Sequence, residues 1–221
     1  MSSELTPAKK LIAAYNSISG GLWGIVLFNT VSLSLWVGQP EFFQLSNKTT
    51  TFIQTLAAIE IYNAATGLVK SPVFTTVMQV LSRYLLVWGI FQVLPDSPAN
   101  GHWSYITLSL CWSVTEIIRY FYYSQNILTN GNPPKILTIL RYNTFYVLYP
   151  AGVASELTMV YLSLDEAKEV VGVWYYYLLI AVMFTYIPGF YTLYTHMIKQ
   201  RKKAMKALRE GGKESKEKKA N

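Results

Sequence analysis

VWYYYLLIAVMFTYIPGFYTLYTHMI, residues 173–198, contains no Asp, Glu, Lys or Arg. An α-helix rises about 1.5 Å per residue, so roughly 20 apolar residues cross the hydrocarbon core of a bilayer. The segment reads as a membrane helix. KQRKK follows at 199–203 and opens a tail with ten Lys/Arg and three Asp/Glu, which is the whole formal net charge of +7. Residues 1–198 carry nine charges of each sign. A basic segment just beyond a span marks the cytosolic side. No nucleic-acid-binding fold accompanies this tail, so it reads as a topology signal and nucleic acid is not expected as a partner.

Working outward, the same apolar character recurs. The chain is 52% hydrophobic and 14% charged over 221 residues, too apolar for an ordinary soluble domain. Six spans are predicted, at about 11–35, 52–69, 73–94, 103–123, 136–164 and 173–198. The expected fold is all-α: a polytopic membrane protein with six transmembrane helices in one bundle. Residues 1–198 form the membrane domain, and 199–221 form a cytosolic tail disordered at its end. Pro72, Pro95, Pro98 and Pro133-Pro134 fall at or between span ends, where helices stop. The second span is the shortest and most polar. No cleavable signal peptide is evident.

The loops set the orientation. Lys9, Lys10, Lys70, Lys135 and the tail fall on one side. Glu41, Lys48, Asp96, Asp165, Glu166, Lys168 and Glu169 fall on the other. Both termini are therefore expected in the cytosol. Trp23, Trp36, Trp103 and Trp174 lie near candidate interfaces. The chain ends Lys218-Lys219-Ala220-Asn221, which looks like the dilysine retrieval signal of endoplasmic reticulum membrane proteins.

Ionisable groups inside spans cost about 2.5–3.5 kcal/mol each by insertion scales. This chain places Glu60 in span two, and Gln79 and Arg83 on one face of span three. Glu116 and Arg119 lie in span four, and Arg141 and Glu156 in span five. Structural pairing accounts for some of them: Glu60 with Arg83, and Glu116 with Arg119. Glu156 is harder to pair, because its own span offers only Arg141, about four turns away.

Span five holds RYNTFYVLYPAGVASE, residues 141–156. Tyr142, Phe145, Tyr149, Gly152 and Glu156 follow a 3-4-3-4 spacing and form one stripe. Tyr149 and Glu156 are about 10 Å apart along an ideal axis. Pro150 between them removes a helix hydrogen bond and favours a kink. Gly152 leaves room on the stripe. With 17 tyrosines in the chain, a single one is ordinarily a packing or interface residue. Its alignment with Glu156 singles out Tyr149, since a phenol and a carboxyl group in an apolar cavity can serve as an acid–base pair.

Other chemistries fit poorly. His102 and His196 are far apart at span ends, so no metal site is expected. There is no Gly-rich phosphate loop and no Gly-x-Ser-x-Gly. The single cysteine, Cys111, is followed six residues later by Ile117, so a phosphatase-type Cys-x5-Arg loop is absent.

LRYNTFYVLYPAGVASE closely resembles the signature of the very-long-chain (3R)-3-hydroxyacyl-CoA dehydratases. They are also called the protein-tyrosine-phosphatase-like family, although they are not phosphatases. VGQPEFF, IEIYNAATGLVKSP, QVLSRYLLVWGIFQ and WSVTEIIRYFYY extend the resemblance in order over nearly the whole chain, most like a fungal member. The resemblance implies a six-span endoplasmic reticulum enzyme with cytosolic termini. It would perform the third step of fatty acid elongation, the loss of water from a (3R)-3-hydroxyacyl-CoA to give a trans-2-enoyl-CoA. The family's catalytic tyrosine and glutamate fall on Tyr149 and Glu156. No cofactor is implied. The implied partners are the acyl-CoA substrate, the bilayer and the other elongation enzymes: elongase, ketoreductase and enoyl reductase.

A buried carboxyl group suits the acid, which leans the reading toward Tyr149 as the base that takes the C2 proton, while the reverse assignment is equally allowed by the sequence. Arg83, Gln79 and Glu60 are expected to support them from a similar depth. Arg141 serves either the pair or the CoA, and Lys70, Lys135 and Arg119 lie toward the side from which CoA enters. The competing readings are a non-catalytic scaffold of the elongase complex and a small transporter using the buried charges. The sequence leaves acyl chain length and oligomeric state open.

Overall fold

The computed structural model describes residues 5–69 and 71–220, with side chains as far as Glu210. Lys70 and Asn221 lie outside it, and so do the side chains of Lys218 and Lys219. The expected disorder at the end of the tail also falls on residues whose side chains are not described. Every regular element among the described residues is helical. These are α1 (Pro7–Trp36), α2 (Glu41–Thr55), α3 (Ala58–Ala65), α4 (Val73–Tyr84), α5 (Ser104–Leu128), α6 (Lys135–Asn143), α7 (Phe145–Leu162), α8 (Leu164–Glu166) and α9 (Val173–Ala220). Wider π-helical turns extend α4 over Leu85–Ile90 and α8 over Ala167–Val171.

Six uninterrupted apolar spans are not what the helices provide. Pro7–Trp36, Val73–Ile90 and Val173–Glu210 are long and apolar enough to cross a membrane. A fourth is added if Phe145–Leu162 and Leu164–Val171, bent by 43°, count as one span. The second predicted span begins at Glu41 rather than Phe52 and is broken at Leu56-Ala57. The fifth is broken at Thr144, while α7 continues unbroken through Pro150, so the interruptions flank the proline. The sixth does not stop at Ile198. Lys, Arg, Ala, Met and Leu are strong helix formers, and α9 carries on into the basic tail.

The polarity of α2 explains why it eludes a hydropathy reading. Its buried side carries a polar row, Ser46, Asn47, Thr50, Thr51 and Gln54, beside Phe42, Phe43 and Ile53, while Leu45 and Phe52 are exposed. The buried row is satisfied by other helices. Ser46 bonds the Tyr105 hydroxyl (2.9 Å), and Gln92 donates to Asn47 Oδ1 (3.3 Å) and Thr51 Oγ1 (3.1 Å). An apolar exterior around a hydrogen-bonded polar interior is the arrangement a lipid environment favours. The rest of the surface agrees, with Phe28, Leu35, Trp36, Phe74, Phe184, Ile187 and Tyr191 all largely exposed.

Helices α1 and α5 form a long antiparallel seam. Ser17 bonds Ser124 (2.7 Å) at one end and Thr30 bonds Ser109 (2.6 Å) at the other. Small residues let the two backbones approach, and a Cβ on Gly20 would sit 3.1 Å from the Phe121 ring. At one end of the molecule Phe42, Phe43, Phe91 and Tyr105 interlock at centroid distances of 4.9–5.5 Å. The adjoining loops are tied together there. Gln39 donates to the His102 carbonyl (3.1 Å), the Asp96 amide donates to Glu166 (3.1 Å), and Ser97 bonds Ser163 (2.9 Å). Lys135, Arg201 and Arg209 lie together around one cavity, contributed by α6 and the tail end of α9.

Candidate active site

Helix α7 runs antiparallel to α9, and three members of the stripe read from the sequence, Phe145, Tyr149 and Glu156, meet α9, while Gly152 and, from α6, Tyr142 face α5. Tyr149 stacks on Phe190 at 5.2 Å and faces Tyr194 at 6.3 Å. Farther along, Glu156 accepts a hydrogen bond from the Tyr186 hydroxyl at 2.9 Å. Tyr149 and Glu156 therefore meet the same face of α9, on which Tyr186, Phe190 and Tyr194 recur every four residues. From the other side, α5 supplies Trp112, whose indole N–H donates to the second oxygen of Glu156 at 2.8 Å. The carboxyl group is thus gripped on both oxygens by donors from two different helices.

Gly152 is buried between them. A Cβ added there would lie 3.5 Å from Cys111 Cβ, an ordinary contact. The position faces α5 across an ordinary van der Waals distance, which leaves room for a Cβ.

The charged residues form one chain rather than the two pairs expected. Arg83 donates to Glu116 (2.5 Å) and, more weakly, to Gln54 (3.4 Å). Arg119 bonds the other oxygen of Glu116 (2.5 Å) and grips both oxygens of Glu60 (2.8 and 2.5 Å). The Tyr120 hydroxyl also donates to Glu60. The intrahelical Glu116–Arg119 pair is present, but Glu60 is taken by Arg119 and Arg83 crosses to Glu116. Burial makes each of these charges depend on its partner. Arg83 also lies 5.0 Å over the Trp112 ring, so the ion chain ends against the residue that holds Glu156.

Two expected members stand apart. Arg141 donates to the Tyr123 hydroxyl (3.2 Å) and lies 5.5 Å over that ring, without contact to Glu156 among the described residues. Gln79 is exposed on α4. Two neighbours of Glu156 escaped the sequence reading. Trp112 carried a signal, because it lies four and seven residues before Glu116 and Arg119 and shares their face of α5. Tyr186 carried none, being one tyrosine among 17.

The chain is 40% identical to a protein of Schizosaccharomyces pombe named probable very-long-chain (3R)-3-hydroxyacyl-CoA dehydratase, over 87% of this chain and 91% of that one. It is 38% identical to the very-long-chain (3R)-3-hydroxyacyl-CoA dehydratase of Caenorhabditis elegans, over 88% and 94% of the two chains. With human very-long-chain (3R)-3-hydroxyacyl-CoA dehydratase 2 the figures are 32%, 90% and 82%. No solved structure gives a significant match. Residues 54–207 match the family described as protein tyrosine phosphatase-like protein, PTPLA, and the chain belongs to that family.

Proposed function

We propose that this chain is a hydro-lyase of the endoplasmic reticulum membrane that converts a (3R)-3-hydroxyacyl-CoA to the trans-2-enoyl-CoA, the third step of fatty acid elongation. The observation that carries the reading is Glu156. A carboxyl group held from two helices, on the same seam as Tyr149, is what an intramembrane acid–base reaction requires. The names of the relatives supply the substrate class.

The reaction removes the C2 proton, which the thioester acidifies, and expels the C3 hydroxyl as water. The Trp112 indole can only donate to Glu156, and with the Tyr186 hydroxyl donating to the other oxygen the group is held as a carboxylate would be. This favours Glu156 as the base for C2 and the Tyr149 phenol as the acid that protonates the departing hydroxyl. The C2 proton goes to Glu156, the electron pair forms the C2–C3 double bond, and the hydroxyl leaves with the proton of Tyr149. Transfer of the proton from Glu156 to the Tyr149 phenolate, relayed by water, resets both groups.

The chain passes the membrane six times on this reading, as α1, α2–α3, α4 with its π-turn, α5, α6–α7 and α9. Both termini face the cytosol, where the elongase, ketoreductase and enoyl reductase would exchange acyl-CoA with it. The test is purified protein in detergent given 3-hydroxyacyl-CoA, with enoyl-CoA followed by ultraviolet absorbance. Tyr149→Phe and Glu156→Gln are each expected to abolish turnover while the protein stays folded. Full turnover by either variant removes that residue from the chemistry. With Glu156 as base, exchange of the C2 proton in deuterated water survives in Tyr149→Phe and disappears in Glu156→Gln.

A further inference from the structure

At the tail end of the α6–α9 seam, Lys135, Arg201, Arg209, Ile139, Met205 and Leu208 line a cavity of about 350 Å³. That is within the size range of small-ligand sites. Among the described residues, three cations and no acid line it. Lys135 is the first residue of α6, where the helix dipole is positive and an acid is the stabilising choice. The helix has no side-chain cap and no acidic residue in its first turn, so its leading N–H groups are free to meet an anion. A lysine at that position adds like charge to like, an arrangement that makes sense when a phosphate-bearing ligand completes it. Arg201 is pre-oriented: its Nε donates to Asn143 Oδ1 at 2.8 Å and its guanidinium lies over the Tyr146 ring at 5.3 Å. The apolar floor of Ile139, Met205 and Leu208 suits a flat heterocycle rather than a bare phosphate.

A run of aromatic contacts leads from the cavity's lining to the candidate active site. Tyr146 and Phe145 meet Tyr194, and Tyr194 faces Tyr149, so one aromatic seam runs from Arg201 to the reacting pair. Phe190, stacked on Tyr149, is eleven residues before Arg201 on the same helix, about 16 Å by helical rise. That is a span a pantetheine arm can bridge. We infer that this cavity holds the phosphate-bearing nucleotide end of coenzyme A, while the pantetheine arm follows the α7–α9 seam toward Tyr149 and Glu156. The inference rests on the acyl-CoA reading above. It also reassigns the cations. Arg119 is held by Glu60 and Glu116, Arg141 lies against Tyr123 away from the cavity and Lys70 lies outside the described residues, whereas Lys135 lines the cavity with two tail arginines that the sequence reading treated only as topology signals.

Calorimetric titration of the full-length protein with adenosine 3′,5′-bisphosphate tests the cavity without any turnover. Wild type is expected to bind it, more weakly as salt rises. Lys135→Gln and Arg209→Gln, both at exposed positions, are each expected to weaken binding about tenfold, the loss of one charge-assisted contact. In turnover, the ratio of kcat/KM for acyl-CoA over the matching acyl-pantetheine should fall by a similar factor in both variants, through KM. Absence of bisphosphate binding, or equal binding by wild type and both variants, overturns the inference. So does displacement of the bisphosphate by vesicles of phosphatidic acid and not by coenzyme A, which assigns the cations to a lipid headgroup. If wild type binds the bisphosphate through these residues but forms no enoyl-CoA, the cavity stands and the reading of the reaction falls.

Discussion

Glu156 shows how one residue's meaning depends on its neighbours. Alone in an apolar helix it is only an expensive group. With Trp112 and Tyr186 it becomes an oriented one, because each donor fixes a different oxygen. Tyr186 touches Glu156 without being part of the proposed reacting pair, which makes it a positioning residue under that proposal. Tyr186→Phe deletes a single oxygen atom and should lower kcat about ten- to a hundredfold, the range for a hydrogen bond to a charged group. KM should hardly move. A raised KM with unchanged kcat would instead make Tyr186 a substrate contact. The stripe Tyr149–Gly152–Glu156 was readable in the sequence because a helix repeats every 3.6 residues. Its partners on α5 and α9 were not, since nothing local records which helix lies opposite.

At the scale of elements, the ion chain fastens α3, α4 and α5 to one another. Glu116 is its centre, with a side chain 3% exposed, while Arg83 and Arg119 are 22% and 20% exposed. Glu116→Leu leaves two arginines facing a buried apolar group. It should cost about 3–5 kcal/mol, the penalty for removing one partner of a buried pair. Thermal unfolding in detergent reads this directly. Adding Arg83→Leu should restore part of the loss, because the second change removes a stranded charge. A Glu116→Leu protein as stable as wild type would mean that the chain of charges holds nothing together. The sequence displayed every charged member of this network but paired Glu60 with the wrong arginine. Spacing within a helix identified Glu116–Arg119, whereas the crossings from Glu60 to Arg119 and from Arg83 to Glu116 depend on how α3 and α4 lean on α5.

At the scale of the whole molecule, acidic loops gather at one end and the basic cavity at another part of the fold. The bonds Gln39–His102, Asp96–Glu166 and Ser97–Ser163 bring three loops together. With Cys111 replaced by serine and single cysteines introduced at Ser3, Asp96, Asp165 or Lys202, a membrane-impermeant thiol reagent should label Ser3 and Lys202 from the cytosolic side of sealed microsomes. It should reach Asp96 and Asp165 only after permeabilisation. Labelling of Asp96 or Asp165 in sealed vesicles would overturn the orientation. The amino-acid sequence alone determined the helical class, the apolar lengths of α1 and α9, the charge asymmetry and the Tyr149–Glu156 stripe. These follow from local periodicity and from transfer free energies that each residue carries wherever it sits. Only the tertiary structure decided that α2 turns a polar face inward, that breaks fall at Thr144 and Ser163 rather than at Pro150, and that Trp112 and Tyr186 close on Glu156. Those outcomes depend on which side chains meet across helices, and a buried polar group is tolerated only where another chain segment brings its partner.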